Sequence, residues 1–350
     1  MTEAAEPAAD IDPAVVDLWP IAEADAPRVQ ELASHPEVIA TTMLPSPYPE
    51  GGALDFIRRS IAGRARGTDF VYVLVTGGEV VGTCAAHDIA RGTGEIGYWI
   101  GRPYWGRRLG SVAARRLVAG LFERLPLDRL TAHCLVGNTA SEQILHGLGF
   151  EPTSSSPSTD PKWQPPVTIT RYELPRERWS RHAIRLAPFE PNPQSLARLE
   201  GWLRRPHVAR WFPVPDDVLG FASQPPATGD QRWIVVDDRP VGYLRWQRVD
   251  AEDLAAVGLD GIPDGAVDCD LFLGEREQTG RGLGVEALHL VLDRLRENPS
   301  IPLVGLTTST ENTRAQRAFR AAGFQTVHEY APKPFGPCLL MARRLRRPAL

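Results

Sequence analysis

The two halves of this chain carry the same landmarks in the same order, and this internal repeat constrains the fold more than any other feature. Each landmark lies 174 residues from its counterpart: Gly106 and Gly280, Gly110 and Gly284, Asn138 and Asn312, and the Gly-Phe pairs at 149–150 and 323–324. A period this long exceeds that of solenoid repeats. It therefore predicts two copies of one whole domain.

The length of the chain agrees with two hydrophobic cores. It has 350 residues, whereas single cores stop growing at roughly 250 to 300 residues. We predict a disordered leader over residues 1–13, an N-terminal domain over 14–178 and a C-terminal domain over 179–350. The two similar domains are expected to pack against each other as a pseudo-dimer.

Composition argues against several classes of function. A formal net charge of −4 disfavours a nucleic-acid-binding protein, which usually carries a basic surplus. The four cysteines lie far apart and form no Cys/His cluster, so we expect neither a disulfide framework nor a metal site. The first residues lack the features of a secretion signal, and no long apolar run follows. We therefore expect a cytoplasmic protein with no membrane partner and no nucleic-acid partner.

Both copies predict the same succession of elements, which indicates a mixed α/β fold. A hairpin is followed by a strand, a glycine-containing turn, an amphipathic helix, a further strand, an asparagine and a short helix. The predicted strands lie at 70–75, 80–85, 95–101 and 130–136, and again at 233–236, 241–244, 268–274 and 303–307. We interpret residues 153–166, rich in Ser and Pro, as a loop inside the first domain, because 167–174 still alternates like a strand.

A glycine-rich turn in the second copy is a candidate phosphate site. It consists of Thr279, Gly280, Arg281, Gly282, Leu283 and Gly284. Glycines let the main chain approach a ligand closely, and the N–H groups at the start of a helix attract phosphate charge. The alternative is an ordinary tight turn between strand and helix. The asparagine and the Gly-Phe pair that follow at the same distances in both copies favour the ligand site.

The whole arrangement resembles the GCN5-related N-acetyltransferases, abbreviated GNAT, and the resemblance runs from about residue 15 onward. It implies a twisted, mostly antiparallel sheet with flanking helices in each domain, and one parallel pair of strands that splays apart. It also implies acetyl-CoA as the cofactor, with its pyrophosphate on the turn and its pantetheine arm in the splay. The implied cofactor-binding residues are the turn residues Thr279 to Gly284, together with Leu271, Phe272, Leu273 and Asn312.

The copies differ at the central glycine of the turn. The second copy has Gly282, whereas the first has Arg108. A side chain at this position is expected to crowd the phosphates or the main chain. We therefore expect the C-terminal domain to be the working catalyst and the N-terminal domain to be a weakened or accessory copy. The alternative is a tolerated arginine that points to solvent.

Each half also resembles a branch of the superfamily. Residues 96–106 of the first half are similar to ribosomal-protein N-terminal acetyltransferases. Residues 201–212, 239–243 and 270–274 of the second half resemble aminoglycoside 6′-N-acetyltransferases. The second resemblance implies that Asp270 is the catalytic base, that Trp211 lies at the substrate mouth, and that N–H groups near Phe272 and Leu273 bind the thioester carbonyl.

Acidic residues surround Asp270 in the sequence. Residues 249–275 contain eight acids and no Lys, Arg or His: Asp250, Glu252, Asp253, Asp260, Asp264, Asp268, Asp270 and Glu275. Such a run attracts a cationic acceptor, and Asp250 and Asp268 are the candidate substrate-binding residues. Its alternative is a solvated acidic loop. For an aminoglycoside acceptor a carboxylate must take a proton, because only the neutral amine attacks a thioester.

Some residues depart from these patterns. Thr307 and Thr308 stand where the aminoglycoside enzymes commonly have Asp-Pro, and Phe319 stands where many members have a tyrosine that protonates the departing thiolate. In the first half, Ser141 is a possible substitute donor. We interpret His133 and Cys134 as buried residues of a core strand.

The resulting hypothesis is an acetyl-CoA-dependent N-acetyltransferase acting on an amine of a cationic small molecule, with an aminoglycoside as the leading candidate. One alternative is acetylation of a protein N-terminus or of a siderophore precursor. Another, from a different class, is a non-catalytic module that binds acyl-CoA and regulates another protein.

Overall fold

The computed structural model describes residues 16–180, 184–250, 252, 254, 259, 262–331 and 335–345, so the predicted leader lies outside it. The chain divides into two compact units, the first ending at Trp179 and the second beginning at Ser180. In the first unit the elements are β1 Asp17–Pro20, α1 Ala26–Ala33, α2 Pro36–Ala40, α3 Gly52–Arg66, β2 Phe70–Thr76, β3 Glu79–Ala90, β4 Thr93–Ile100, α4 Leu109–Arg124, β5 Arg129–Leu135, α5 Thr139–Gly147, β6 Glu151–Pro157, β7 Thr168–Pro175 and α6 Arg176–Ser180.

The second unit repeats this order. Its elements are β8 Arg185–Pro188, α7 Pro193–Leu203, α8 Pro206–Ala209, α9 Pro215–Ser223, β9 Gly229–Val236, β10 Arg239–Arg248, β11 Val267–Leu273, α10 Leu283–Leu295, β12 Leu303–Ser309, α11 Thr313–Ala321, β13 Gln325–Tyr330 and β14 Cys338–Arg344. Every strand predicted from the sequence is present, with ends that shift by a few residues.

Each unit is built on one sheet, and the expected α/β architecture is confirmed. Among the described residues each sheet has seven strands, ordered β1-β2-β3-β4-β5-β7-β6 in the first and β13-β14-β12-β11-β10-β9-β8 in the second. All neighbours are antiparallel except one pair per sheet, β4 with β5 and β11 with β12. A parallel pair requires a long crossover, and α4 and α10 supply it.

The parallel pairs separate soon after they begin. Strands β11 and β12 are paired only at Val267 with Val304 and at Asp268 with Gly305. Strands β4 and β5 remain paired for four residues, as far as Ile96 with Ala132. Beyond these points the facing edges of the two strands have no partner strand in the described structure. Each unit therefore contains a gap in its sheet, as the resemblance implied.

The loop expected at 153–166 is in part a strand. Residues 151–157 form β6, which pairs with β7 and lies at the edge of the first sheet. All seven residues are exposed, so the Ser-rich composition reflects an edge strand that faces water on both sides. Composition alone missed this strand because polar edge strands lack the apolar alternation of a half-buried strand.

Helices cover both sheets with apolar faces. In the second unit α7 begins after Asn192, whose side chain accepts a hydrogen bond from the Ser195 N–H. Its buried residues Leu199, Trp202 and Leu203 pack in one cluster with Tyr243 and Phe272 of the sheet, among other residues. This cluster fixes the helices α7 to α9 on one face of β10 and β11. Among the described residues, no helix has the length and apolar character needed to cross a membrane.

Candidate functional site

Two glycines of the glycine-rich turn in the second unit adopt a left-handed main-chain conformation. Gly280 and Gly282 have φ angles of +81° and +82°, in the left-handed region that favours glycine. Gly282 is the N-cap of α10, which begins at Leu283. The first N–H groups of a helix have no acceptor within the helix and carry partial positive charge. The turn thus directs donors outward where a phosphate can meet them.

The turn also leaves room for a ligand. A Cβ built on Gly282 would meet no described atom within 4 Å, and one built on Gly280 would approach only the Arg314 guanidinium, at 3.4 Å. Arg281 donates to Gln278 at 2.6 Å and is exposed. Open main chain beside two arginine side chains fits the doubly charged pyrophosphate of coenzyme A.

The first unit keeps the same turn conformation in spite of its arginine. Gly106 has a φ of +79°, and Arg108 has a φ of +59° and is the N-cap of α4. A residue with a Cβ costs about 1–2 kcal/mol in this conformation. The arginine therefore strains the turn without changing its shape. Any crowding by its side chain would affect a bound phosphate and not the main-chain conformation.

The open edge of β11 presents main-chain groups to the gap. The Val249 N–H bonds to the Ala266 carbonyl and the Gly274 N–H bonds to the Val241 carbonyl, so even-numbered residues of this strand face β10. Leu271 and Leu273 consequently direct their main-chain groups toward β12. Phe272 does not: its main chain lies in the β10 ladder, and its ring packs on Phe212 at a centroid distance of 5.0 Å.

Side chains of the α7–α8 segment close the end of β11. His207 donates from Nε2 to the Leu273 carbonyl at 3.2 Å. Trp202 donates from Nε1 to Glu275 at 2.9 Å, and Arg205 forms an ion pair with the same carboxylate. Hydrogen bonds from Arg205 and Trp202 lower the pKa of Glu275. These contacts hold residues 273–275 in place and occupy the Leu273 carbonyl, whereas the Leu273 N–H stays directed toward β12.

Two carboxylates and one guanidinium lie together beside the point where β11 and β12 separate. Asp268 and Asp270 are two residues apart on β11, so they lie on the same face of the sheet. Arg245 is the direct cross-strand partner of Asp270 on β10. Its Nη2 donates to Asp270 Oδ2 and lies 3.8 Å from Asp268 Oδ2. We call these three residues the carboxylate cluster.

The cluster is only partly open to water. The exposed fractions are 16% for the Arg245 side chain, 32% for Asp268 and 25% for Asp270. Burial and repulsion from Asp270 raise the pKa of Asp268 to about 7, against the lowering effect of Arg245. The Arg245 guanidinium also stacks on Phe221, with 4.3 Å from Cζ to the ring centroid. The two carboxylates are thus unequal: Asp270 has the guanidinium as its hydrogen-bond partner, and Asp268 changes charge near neutral pH.

A pair of hydroxyl groups lies across the gap from this cluster. Thr307 Oγ1 and the Tyr330 hydroxyl are 2.9 Å apart. Burial raises the pKa of Tyr330, and the nearby charges of Cys338, Asp268 and Asp270 act in the same direction. Tyr330 therefore lies within electrostatic reach of both carboxylates. In place of the Asp-Pro of the aminoglycoside enzymes, this edge of the gap offers neutral hydrogen-bonding groups.

Trp211 lies in the segment that follows α8. Its half-buried ring stacks under the Arg210 guanidinium, with 4.6 Å from Cζ to the ring centroid. Arg210 also reaches Glu311, 3.1 Å away, beside the start of α11. Since the next residue, Phe212, packs on Phe272, this segment connects the two sides of the gap.

The structure separates Asp250 from the carboxylate cluster. Asp250 is exposed and follows the end of β10, five residues beyond Arg245. At about 3.4 Å per residue this is roughly 17 Å along the strand direction. Two further acids of the run, Asp253 and Asp260, lie outside the described residues. The acidic run therefore contributes two of its members to one cluster instead of forming a continuous acidic wall.

Asn312 and Phe319 have structural roles in the second unit. Asn312 caps α11, with Oδ1 accepting from the Ala315 N–H at 3.1 Å. Phe319 is buried and packs on Phe324. Neither contact involves the gap, so the contribution of Asn312 to a cofactor site stays a prediction.

Two residues near the gap escaped the sequence analysis: Arg245 and Tyr330. Arg245 had one usable signal, since a charged residue between the apolar Leu244 and Trp246 of a strand usually faces an opposite charge. Its partner depends on the β10–β11 register, which pairs Arg245 with Asp270. Register is a tertiary property that a local pattern leaves open.

Comparison with known families identifies both units. A family model described as "Acetyltransferase (GNAT) domain" matches residues 16–151, and a second model with the same description matches residues 192–331. The expected tandem arrangement of two GNAT domains is confirmed.

Three curated relatives share sequence with the chain. It is 39% identical over 75 residues to an uncharacterized N-acetyltransferase p20 of Bacillus licheniformis, covering 21% of this chain and 42% of the relative. It is 32% identical over 79 residues to a putative ribosomal N-acetyltransferase YdaF of Bacillus subtilis, covering 22% and 43%. The chain thus spans less than half the length of these two relatives. It is 25% identical over 201 residues to the aminoglycoside N(6′)-acetyltransferase type 1 of Klebsiella pneumoniae, covering 52% and 92%.

Two solved structures are similar to parts of the chain. One is AAC(6′)-Ib in complex with Parmomycin and acetyl-CoA, at 23% identity and a TM-score of 0.40, covering 46% of this chain and 93% of the other. Another is RimL, a ribosomal L7/L12 α-N-protein acetyltransferase in complex with coenzyme A, at 16% identity and a TM-score of 0.43, covering 48% and 96%.

Proposed function

Because this chain belongs to the GNAT acetyltransferase family and carries two of its domains in tandem, we propose that the C-terminal domain transfers the acetyl group of acetyl-CoA to an amine of a cationic small molecule. An aminoglycoside is the leading candidate. The observation that carries the proposal is the carboxylate cluster at the fork of β11 and β12, on the strand that leads into the glycine turn of α10.

The described residues are suited to hold the cofactor in two places. The main chain of residues 280–284, with Arg281 and Arg314 beside it, would bind the pyrophosphate. The open edge of β11, with the main-chain groups of Leu271 and the N–H of Leu273, would bind the pantetheine arm by main-chain hydrogen bonds, as an added strand does. When bound, acetyl-CoA supplies the activated acyl group as a thioester.

The carboxylate cluster would move the proton. An alkyl amine is largely protonated at neutral pH, and a catalytic base works best with a pKa near the working pH. Asp268 meets this condition, since its pKa is raised to about 7. Asp270, the residue expected from the sequence to be the base, would act with it: ionised beside Arg245, it holds the acceptor ammonium while Asp268 takes the proton.

The net charge of the cluster favours a cationic acceptor. With both carboxylates ionised, two negative charges face the single positive charge of Arg245. The cluster then has a net charge of −1 beside the gap. A low local dielectric makes the attraction between this charge and a cation stronger than it would be in water. Exposed acids such as Asp250, Glu252 and Asp264 add negative potential at longer range.

Release of the thiolate would not need an acid from α11. Phe319 has no proton to give, and its ring is buried. Coenzyme A is a tolerable leaving group as the thiolate, because thiol pKa values are about 8.5. The N–H groups of Leu271 and Leu273 at the open edge would meanwhile stabilise the negative charge that develops on the carbonyl oxygen.

An acceptor panel tests the proposal. The full chain is assayed for thiol release from acetyl-CoA with kanamycin, with tobramycin, with a ribosomal-protein N-terminal peptide and without acceptor. We expect turnover with at least one aminoglycoside and a large loss in the Asp268→Asn/Asp270→Asn double variant. Turnover with the peptide alone would move the assignment to a protein acceptor. Binding of coenzyme A with no turnover on any amine would favour the non-catalytic module.

A further inference from the structure

A second ionisable pair lies in the N-terminal domain, outside the site already described. His133 Nδ1 of β5 is 3.0 Å from Glu95 Oε1 of β4, and the two side chains are 33% and 41% exposed. The expectation that His133 is a buried core residue is therefore wrong, whereas Cys134 beside it is buried. Alternation along the strand places these two neighbours on opposite faces of the sheet.

The pair stands at the fork of the first sheet. Glu95 is paired with Thr131, and the strands separate one residue later, after Ile96 and Ala132. His133 is the first residue on the same face beyond the last pair. Its position in the gap thus needs no rearrangement of the sheet.

The internal repeat gives these residues counterparts in the C-terminal domain. Thr131 and Gly305 lie 174 residues apart, and they are the partners of Glu95 and Asp268 in the two parallel pairs. His133 and Thr307 have the same separation. Glu95 therefore occupies the position of Asp268, and His133 occupies the position of Thr307. The N-terminal domain thus has a histidine where the C-terminal domain has a hydroxyl group.

The geometry suits His133 to act as a base. A carboxylate at Nδ1 accepts the Nδ1 proton, which leaves the lone pair on Nε2. Other charges on this face already have partners. On β3, His87 pairs with Asp69 at 3.0 Å, and on β7, Arg171 lies 3.8 Å from Glu173. Arg171 is the direct cross-strand partner of His133, and Glu173 is the carboxylate beside it.

The remaining parts of a transfer site are present in the same domain. The turn before α4 keeps the left-handed angles at Gly106 and Arg108. The Tyr98 hydroxyl, whose pKa is raised by burial, lies 3.1 Å from Ser141 Oγ in the first turn of α5. Two hydroxyl groups thus lie next to the open edge of β4 on the face opposite to the His133–Glu95 pair.

A pocket of about 680 Å³ lies beside α2 and the loop between β6 and β7, and its residue Tyr48 connects it to the face that carries the pair. Its lining includes Ile39, Ala40, Pro47, Tyr48, Lys162 and Trp163. Tyr48 packs against the same core cluster as Phe56, and the Phe56 ring is 6.2 Å from that of His87, the cross-strand partner of Glu95.

The pocket offers little charge to an acceptor. The Lys162 ammonium donates to the Thr42 carbonyl at 2.6 Å and to the Ile39 carbonyl at 3.3 Å, and its burial lowers its pKa. The other lining residues are apolar, aromatic or uncharged. An amine carried on an apolar or aromatic group matches this lining, and a polycation does not.

We propose that the N-terminal domain is a second, separate transfer site, in which His133 accepts the proton of an amine carried on an apolar or aromatic group. The amine nitrogen bonds to the acetyl carbon and the thioester C–S bond breaks. The amine proton passes to His133 Nε2 and from there to the thiolate, so that amide and thiol are the products. The proposal depends on the family membership of the chain but not on the acceptor of the C-terminal domain.

Full-length variants separate the two sites. In the Asp268→Asn/Asp270→Asn background, we expect thiol release with 2-phenylethylamine or tryptamine to persist and release with kanamycin to be lost. Adding His133→Gln, which preserves a hydrogen bond to Glu95 but removes the basic nitrogen, should lower the aromatic-amine rate at least 100-fold. The control His146→Gln removes an exposed histidine of α5 in the same domain and should change that rate less than threefold.

A binding readout keeps the proposal testable without turnover. We expect calorimetry to give two coenzyme A molecules per chain, and NMR of labelled histidine to show a shifted His133 imidazole resonance when coenzyme A is added to the Asp268→Asn/Asp270→Asn protein. A stoichiometry of one with an unmoved His133 resonance would overturn the proposal. So would aromatic-amine turnover that is indifferent to His133→Gln.

Discussion

The pH dependence of the C-terminal site distinguishes its two carboxylates. With a pKa of about 7, Asp268 would be ionised in about 9% of molecules at pH 6 and in about 91% at pH 8. If the ionised form accepts the amine proton, kcat/KM should rise roughly tenfold over this interval. Removing the titrating group by Asp268→Asn should lower the activity and abolish this rise.

The acceptor amine also loses protons as the pH rises, so the comparison is made as a ratio. The rate of the unaltered protein is divided by that of Asp268→Asn at each pH, which cancels the contribution of the substrate. The isosteric change Asp237→Asn, at an exposed turn, is the control and should keep the full profile. Asp270→Asn should remove most of the turnover while coenzyme A binding is unchanged. A ratio that stays flat between pH 6 and pH 8 would refute the reasoning.

The same group links stability to pH. Between about pH 4 and pH 7 the folded protein retains a proton on Asp268 that the unfolded chain has released, because the pKa is raised on folding. The folded state binds more protons in this window, so the free energy of unfolding should fall as the pH rises through it. Urea denaturation at a series of pH values measures this slope, and Asp268→Asn should make it shallower.

Three substitutions test the surroundings of the site. Arg245→Met leaves Asp270 without its guanidinium partner and should lower the free energy of unfolding, measured in urea, by about 1–3 kcal/mol. An unchanged free energy of unfolding would show that the ion pair contributes nothing. Gly274→Ala would bring a Cβ within 2.0 Å of the Trp202 ring, so we expect overpacking of at least about 1–3 kcal/mol and a lower melting temperature; an unchanged melting temperature would contradict the close approach. A Cβ at Gly282 would meet no described atom, but an arginine there is strained by the φ of +82°. Gly282→Arg should therefore lower the free energy of unfolding by about 1–2 kcal/mol and weaken coenzyme A binding at the C-terminal site. Normal affinity by calorimetry would remove the reason for ranking the two turns.

The phosphate turn is the part of the site that local sequence predicts best. Positive φ angles cost glycine little and most other residues more, and a helix start supplies free N–H groups wherever it occurs. A glycine-rich turn before an amphipathic helix can therefore be recognised without tertiary information, and Gly280 and Gly282 adopt left-handed angles there. Repetition of the pattern 174 residues earlier extended the conclusion to the first domain.

The charge of the acidic run at 249–275 could not be judged from the sequence alone. Residues 249–275 have no basic residue in the sequence, yet Arg245 pairs with Asp270 and Arg205 pairs with Glu275. The strand register brings in the first arginine and helix packing brings in the second. A charge count along the chain therefore overestimates the negative potential that an acceptor meets.

The tandem α/β architecture, the family and the position of the phosphate turn could be predicted from the sequence, because the repeat, the apolar periodicity and the glycines can be seen in the sequence without knowledge of the fold. Which acids share a guanidinium, which face His133 occupies and where the parallel strands separate could be learned only from the folded chain. These depend on strand register and on the distance between residues far apart in the chain, and a shift of one residue in register would reverse each of them.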